Sequence, residues 1–418
     1  MIFFSNKDRP FEYGPYPLER LKRDDSISSA ERARPKISRP QREPINGHGP
    51  LGEAIAKYHD IFRTLGIVKP FPPKAPIPDD LYRRMVDVKG AAYFLDVAQV
   101  GICEISENVW LEEANPLAHT HAVVIVQAYG KYPEKENLAH DWCKGLAAIA
   151  ANYRVFEVAI AVAEHIQNMG YHAKAHDSDT GDVDFDRLAV LAGVAVRDGE
   201  ILINPYLDDK FAVAVVTTDY ALATDQPLHA SAKRAKNLGY WLGLGGAVPG
   251  IEWNRRAKRR SDLGIFPMEQ VDRVEIPTTQ IFDDEVPRVS KRAAFFARTR
   301  RGDLGEKSKF EVTRFAFKHP FAQSMVSLIR SMVPHQYGPT ADKAPGYDDP
   351  AANSKAMKSL SYFLGSEITG ICEIPEYAWY SHDDMGKPIE PYHKYAVVML
   401  IDQGYETMEG SSGDDFIS

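Results

Sequence analysis

The five residues Gly-Ile-Cys-Glu-Ile stand at 101–105 and again at 370–374 of this 418-residue chain. Cys103 and Cys372 are the reactive members, since a thiolate is both a nucleophile and a metal ligand when its pKa is low. Isoleucines on both sides give each thiol an apolar setting, which raises that pKa, so both cysteines read as structural. His119 and His121 flank Thr120 at the entry to an apolar run, and two histidines at i and i+2 of a strand face the same way, as a shared metal requires. No acid or cysteine is placed nearby in sequence to complete that site, and no metal is expected. Gly243, Gly245, Gly246 and Gly250 in "LGLGGAVPG" lack the Gly-x-Gly-x-x-Gly spacing of a phosphate loop and read as tight turns. Tyr153 lies on the apolar face of a helical pattern. Such a phenol is ordinarily a core residue, and its alternative role is proton donation.

The repeat extends well beyond five letters. "YFLDVAQVGICEISENVW" (93–110) and "YFLGSEITGICEIPEYAW" (362–379) match at 10 of 18 positions without a gap. After five extra residues in the second copy, "HTHAVVIVQAYG" from His119 aligns with "HKYAVVMLIDQGY" from His393. One supersecondary unit is therefore used twice, at a spacing too long for a solenoid. The mostly apolar run 121–127 reads as a buried strand. Leu146, Ile149, Tyr153, Phe156, Ile160, Ala163 and Ile166 recur at three and four residues and predict one long helix ending near Gly170. A helix is expected over 51–66 and another in "VDFDRLAVLAGVAV", with strands in "EILINPY" and "FAVAVVTTDY". This alternation makes the class α/β or α+β around a largely buried sheet. Residues 1–50, with seven prolines, read as an irregular arm, and 287–318 as a charged loop.

Composition narrows the function classes. The formal net charge is −8, which disfavours a nucleic-acid partner. The one dense basic stretch, Arg255 to Arg260, reads as a solvated helix face. No apolar run reaches the ~20 residues that a membrane helix needs. The N-terminus turns polar after four residues, so no export signal is read. Three cysteines, Cys103, Cys143 and Cys372, fit a reducing cytoplasm rather than a disulfide framework.

The order of these motifs resembles that of the cobalamin-dependent reductive dehalogenases, more closely their cytoplasmic, fused type, in which a degenerate module precedes the working one. The resemblance covers roughly residues 80–230 and 359–418. It implies a duplicated α+β, nitroreductase-like cobalamin-binding fold with the second copy truncated. It also implies corrinoid-dependent removal of halide from organohalides, with electrons arriving through two 4Fe-4S clusters and a tyrosine with a basic neighbour supplying the proton. On this chain those roles fall to Tyr153 and Lys210 as catalytic pair and to Gly193 and Asn204 at the cofactor. Two departures point to a vestigial first module. No run of cluster cysteines follows Asp219, and Val194, Ala195 and Val196 bring bulk to a turn where backbone must approach a cofactor.

The division expected is an arm over 1–50, a degenerate cobalamin-fold module over 51–250, a linker over 251–340 and the start of the catalytic module over 341–418. The chain alone is expected to be inactive, with the remainder of the catalytic module as its partner. Two other readings stay open: a scaffold packing against a catalytic dehalogenase module, and a module that still binds a corrinoid or flavin and takes electrons from an external donor. A cubane cluster takes four thiolates, and a chain with three cysteines cannot supply them. Iron and acid-labile sulfide, assayed after anaerobic reconstitution, are therefore expected to stay well below one 4Fe-4S cluster per monomer.

Overall fold

The computed structural model describes residues 9–40, 48–65, 72–243, 248–272, 274–275, 282, 285–314, 319–339, 342 and 346–402. Its elements, in chain order, are α1 (Ser26–Ala33), α2 (Gly49–Leu65), α3 (Leu81–Phe94), β1 (Gln99–Glu104), β2 (His121–Ala128), α4 (Ala139–Cys143), α5 (Ala147–Asn168), β3 (Ala173–His176), α6 (Phe185–Leu191), β4 (Val196–Asp198), β5 (Ile201–Ile203), β6 (Phe211–Thr218), α7 (Leu238–Leu242), α8 (Gly250–Lys258), α9 (Phe295–Arg301), α10 (Glu306–Arg314), α11 (Pro320–Met332), α12 (Pro350–Phe363), β7 (Ile368–Glu373) and β8 (Tyr395–Leu400).

The main sheet has the order β1-β2-β6-β3, with antiparallel pairing throughout. The central run of β2 shows no polar alternation because both of its faces are covered. Val123 and Ile125 pack with Val88 of α3 and with Val158 and Val162 of α5. Ala122, Val124 and Val126 pack on the opposite side with Leu188 of α6 and with Val194. The outer edge of β1 is covered as well: Asp225 accepts a hydrogen bond from Ile102 N at 2.8 Å, and its own N donates to Ile102 O at 2.7 Å. Lys89 of α3 holds that carboxylate at 2.8 Å.

Helix α5 forms where its periodicity predicts, but the predicted stripe is only part of what it buries. Phe156 and Ile160 face Phe62 of α2 and Phe321 of α11. The sheet is met by Val155, Val158, Ala159 and Val162, outside the predicted stripe, together with Ala163 and Ile166 of the stripe. A helix apolar on nearly every side has no single face to read. Residues 287–318, expected as a loop, contain α9 and α10 instead, with Gly302 closing α9 in the left-handed conformation. Both helices are short and expose Phe295, Phe296 and Phe310, so no buried stripe marks them in the sequence. Of the glycine-rich stretch, residues 244–247 lie outside the described residues.

The repeated motif folds the same way twice. In each copy a helix leads to a strand, a 3-10 turn and an antiparallel strand, with Glu104 opposite His121 and Glu373 opposite Tyr395. Tyr93 Oη accepts from Val100 N at 3.0 Å, and Tyr362 Oη accepts from Thr369 N at 3.0 Å. The surroundings differ. A Cβ on Gly101 would stand 2.2 Å from Ala192 O, whereas one on Gly370 would meet nothing within 4 Å. The glycine of the repeat is thus required for close approach in the first copy alone. Helix α12 is docked: Phe363 is buried with Ile55, Cys143 and Leu146. Ser359 Oγ lies 2.8 Å from Ser261 Oγ and accepts from Asn137 Nδ2 at 2.9 Å. The β7–β8 hairpin beyond it is largely exposed, including Val398, Met399 and Leu400.

Exposed backbone hydrogen bonds open more readily than those of a packed core. Amides of Val124 and Val126 in β2 are therefore expected to exchange at least ~100-fold more slowly than those of Val398 and Leu400 in β8, read by hydrogen–deuterium exchange. Equal protection would mean that the hairpin is covered in solution.

Candidate functional site

Helix α6 starts at the Asp184 cap, whose side chain accepts from Arg187 N, and ends at a turn on Gly193. Gly193 has φ +65°, a region that favours glycine. The space that a side chain would take is occupied: a Cβ there would stand 2.0 Å from Arg23 Nη1 and 2.3 Å from Gln226 O. Arg23 donates from Nη1 to Gly193 O at 3.1 Å and to Gln226 O at 2.7 Å, and from Nη2 to Leu18 O at 3.1 Å. Val194, Ala195 and Val196, which follow the turn, are buried. Asn204 is fully buried and its amide is fully used. Oδ1 accepts from Tyr206 N at 2.9 Å and Leu207 N at 3.0 Å, and Nδ2 donates to Val194 O at 2.8 Å and to Gln99 Oε1. Gly193 and Asn204 thus belong to one neighbourhood, organised by internal partners.

Tyr153 stacks on Phe62 with ring centroids 5.6 Å apart and meets His59 edge-on at 6.5 Å. Burial, with Glu157 nearby, pushes its hydroxyl well above the ordinary tyrosine range, so the phenol stays protonated at any physiological pH. Lys210 lies just before β6, where its carbonyl accepts from Tyr129 N at 3.2 Å. No hydrogen bond or ion pair among the described residues joins Tyr153 to Lys210. Cys103 and Cys143 are buried in different clusters, and Cys372 is exposed. Burial raises the Cys143 thiol to about 11 and the Cys103 thiol further, so both are inert.

The two histidines of the candidate metal pair diverge. His121 Nδ1 lies 2.8 Å from Thr120 Oγ1, and His119 Nδ1 lies 2.8 Å from Thr217 Oγ1. Thr217 also meets His176 Nε2 at 2.9 Å, and His176 Nδ1 accepts from Asp182 N at 3.3 Å. That backbone donor leaves the proton on His176 Nε2. His176 therefore donates to Thr217 Oγ1, which also lies within hydrogen-bond distance of His119 Nδ1. Burial holds both imidazoles far below the ordinary value, His119 to about 4 and His176 to about 3. A second cluster, His59, Asp177 and Asp179, brings its ligand atoms within 4.8 Å of one another. Arg63 already bridges it, 3.1 Å from Asp177 Oδ2 and 3.1 Å from Asp179 Oδ2. A cleft of about 510 Å³ opens elsewhere, beside Glu134, Arg260, Asp349 and Lys355. Arg23, Arg63 and Thr217 escape a reading by motif; only the acidic tract "DSDTGD" at 177–182 hints at the second cluster.

No family model and no curated protein matches the chain. Solved structures do. A reductive dehalogenase whose structure is described as suggesting a mechanism for B12-dependent dehalogenation matches with a TM-score of 0.87 and 39% identity, over 98% of this chain and 59% of that one. The catabolic reductive dehalogenase NpRdhA, in complex with 3-bromo-4-hydroxybenzoic acid, matches with a TM-score of 0.86 and 39% identity, over 97% of this chain and 58% of that one. This chain is a structural relative of the reductive dehalogenases. It spans about three-fifths of their length.

A B12-dependent dehalogenase needs room for a corrinoid beside backbone that can approach it. The turn from Gly193 to Val196 does not offer that room as folded. Arg23 covers the glycine, the valines are sunk in the core, and Asn204 has no free amide group. No catalytic step is assigned to this turn. Among the described residues, no helix of this dehalogenase relative is long and apolar enough to cross a membrane.

The histidine chain gives a test by pH. The folded pKa of His176 lies below its unfolded value of about 6.5, so between about pH 6.5 and 3 the unfolded chain binds a proton that the folded one refuses. Stability is expected to fall on acidification through that window, by up to about 1.4 kcal/mol per pH unit for this residue. His176→Gln, with no proton to gain, is expected to flatten the decline of the urea midpoint between pH 6.5 and 4.5. An unchanged slope would show that His176 does not titrate this way.

Proposed function

We propose that this chain is the N-terminal, non-catalytic portion of a corrinoid-dependent reductive dehalogenase of the fused, two-module type, located in the cytoplasm and acting on halogenated aromatic compounds. The observation that carries the reading is 39% identity over 98% of the chain to a B12-dependent reductive dehalogenase. The bound 3-bromo-4-hydroxybenzoic acid of NpRdhA supports the substrate class. On this reading the repeat records a domain duplication, and α12, β7 and β8 open the working module.

Internal comparison supports that assignment. β2 is covered because β6 pairs with its second edge and α5 lies across it. The matching strand β8 pairs with β7 and leaves its apolar side chains exposed. The relatives are longer than the span matched, and their additional length is the natural source of a third strand and covering helix. The first module then serves as a platform, with α12 docked onto it through Phe363 and Ser359.

The role proposed for this span includes neither a resident corrinoid nor a 4Fe-4S cluster. Tyr153, packed on Phe62, and Lys210 do not act as its proton donors; that work falls to the working module. The test is halide release from 3-bromo-4-hydroxybenzoic acid under anaerobic conditions with hydroxocobalamin and a strong chemical reductant. Residues 1–418 alone are expected to release none above the protein-free rate. NpRdhA, assayed in parallel, is expected to turn over. Release by 1–418 alone that collapses in Tyr153→Phe would establish the first module as catalytic.

A further inference from the structure

Helix α2 carries His59 and Arg63 one turn apart, and both meet the acidic turn that follows β3. His59 is only 4% exposed. Its ring packs edge-on against Phe156, with centroids 5.2 Å apart, and against Tyr153 at 6.5 Å. Among the described residues its ring nitrogens make no hydrogen bond. A buried polar group without a partner is costly. One of these nitrogens lies within 4.8 Å of carboxylate oxygens of both Asp177 and Asp179.

The carboxylates are already positioned. Asp177 Oδ1 accepts from Asp179 N and Thr180 N, each at 2.7 Å, and Oδ2 accepts from Thr180 Oγ1 at 2.7 Å. These bonds fix the turn and leave Oδ2 one further contact, Arg63 Nε at 3.1 Å. Asp179 Oδ2 accepts from Arg63 Nη2 at 3.1 Å. Arg63 Nη1 also lies 3.4 Å from Asp60 Oδ1, which is exposed. Asp60 thus offers the guanidinium a seat outside the cluster. The charged groups that act most strongly on His59 are Arg63, Asp177, Asp179 and Asp60, so three carboxylates face one guanidinium and two negative charges stay unbalanced. Burial, with Arg63 beside it, holds the imidazole below its ordinary pKa. The ring is therefore neutral at pH 7, as a metal ligand must be.

We propose that His59, Asp177 and Asp179 form a site for a zinc-type divalent cation, which enters as Arg63 swings from the two aspartates to Asp60. One imidazole and two carboxylates suit zinc, whose bonds to nitrogen and oxygen are about 2.0–2.2 Å. The imidazole sets the site apart from the all-oxygen cages of calcium and magnesium. The ligand atoms draw in by about 1 Å to reach those distances once the guanidinium leaves. Water takes the fourth position, on the partly exposed side that Arg63 now covers. The bound ion ties α2 to the turn after β3 and gives His59 the partner it lacks. The site is independent of the dehalogenase reading.

The test uses the 418-residue chain stripped with EDTA, with Zn2+ titrated by calorimetry and Co2+ followed by visible absorbance. One ion per chain is expected, and excess Ca2+ is expected not to displace it. His59→Gln and Asp179→Asn are each expected to weaken Zn2+ binding by roughly tenfold or more, at least the cost of losing a group behind a metal ligand. Arg63→Gln, which removes the competing charge, is expected to tighten binding by roughly tenfold. Asp179→Asn, at a partly exposed side chain, keeps the test decisive where His59→Gln fails to fold by circular dichroism. No stoichiometric ion, or binding that Asp179→Asn and folded His59→Gln leave intact, overturns the site and leaves an ion-pair cluster closed by Arg63. Displacement by Ca2+ overturns the zinc class, and binding that Arg63→Gln weakens overturns the exchange. None of these results bears on the non-catalytic reading.

Discussion

The four-stranded sheet depends on one requirement: β2 must have hydrogen-bond partners on both edges and apolar cover on both faces. Val123, Val124, Ile125 and Val126 are fully buried. At roughly 1.5–3 kcal/mol per buried aliphatic side chain, these four alone match the net stability of a typical domain, about 5–15 kcal/mol. β1 and β6 supply the edges, α3 and α5 one face, and α6 with the turn at Gly193 the other. Each candidate site residue owes its position to one of those layers.

The same requirement explains how one motif serves two contexts. The helix, the first strand, the tyrosine that caps it and the returning strand are local, and they form in both copies with matching register. Burial is not local. Ala122 to Val126 are hidden only because β6 and α5 arrive from more than twenty residues further along the chain. The corresponding segment from Ala396 has a similar sequence and exposed side chains.

The polar framework follows different rules. Arg187 is buried and donates to the carbonyls of Asn108 and Pro35, and Glu31 meets Arg197 across 166 positions. Such pairs are weak sources of net stability, since desolvation offsets much of the attraction, but they fix geometry. They hold residues 9–40 in place even though that segment has few apolar anchors beyond Tyr16 and Leu18. Prolines and scattered charge read as an irregular arm, because nothing in the arm's own sequence names the carbonyls and carboxylates it meets.

The repeat, the buried strand, the long helix α5 and the buried setting of Cys103 are legible in the sequence, since each is set by period, spacing or immediate neighbours; Cys372, with the same neighbours, is exposed because its hairpin is not covered. The order of motifs also leads to the reductive dehalogenases without the structure. The candidate site was legible only in part. Gly193 and Asn204 fall in one neighbourhood as expected, but the partners that occupy them come from Arg23 and Gln99, far away in the chain. Tyr153 shares its helix face with residues that turn toward α2 and α11, which periodicity cannot foresee in a helix apolar on nearly every side. The sequence by itself determined the long helix α5, the buried strand β2 and that one unit occurs twice, because these depend on local conformational preference and pattern, whereas α1, α9 and α10 carry no buried stripe to mark them. Only the tertiary structure decided which glycine needs its missing side chain, which histidines meet and which strand is covered, because those depend on what the rest of the chain brings within a few ångströms.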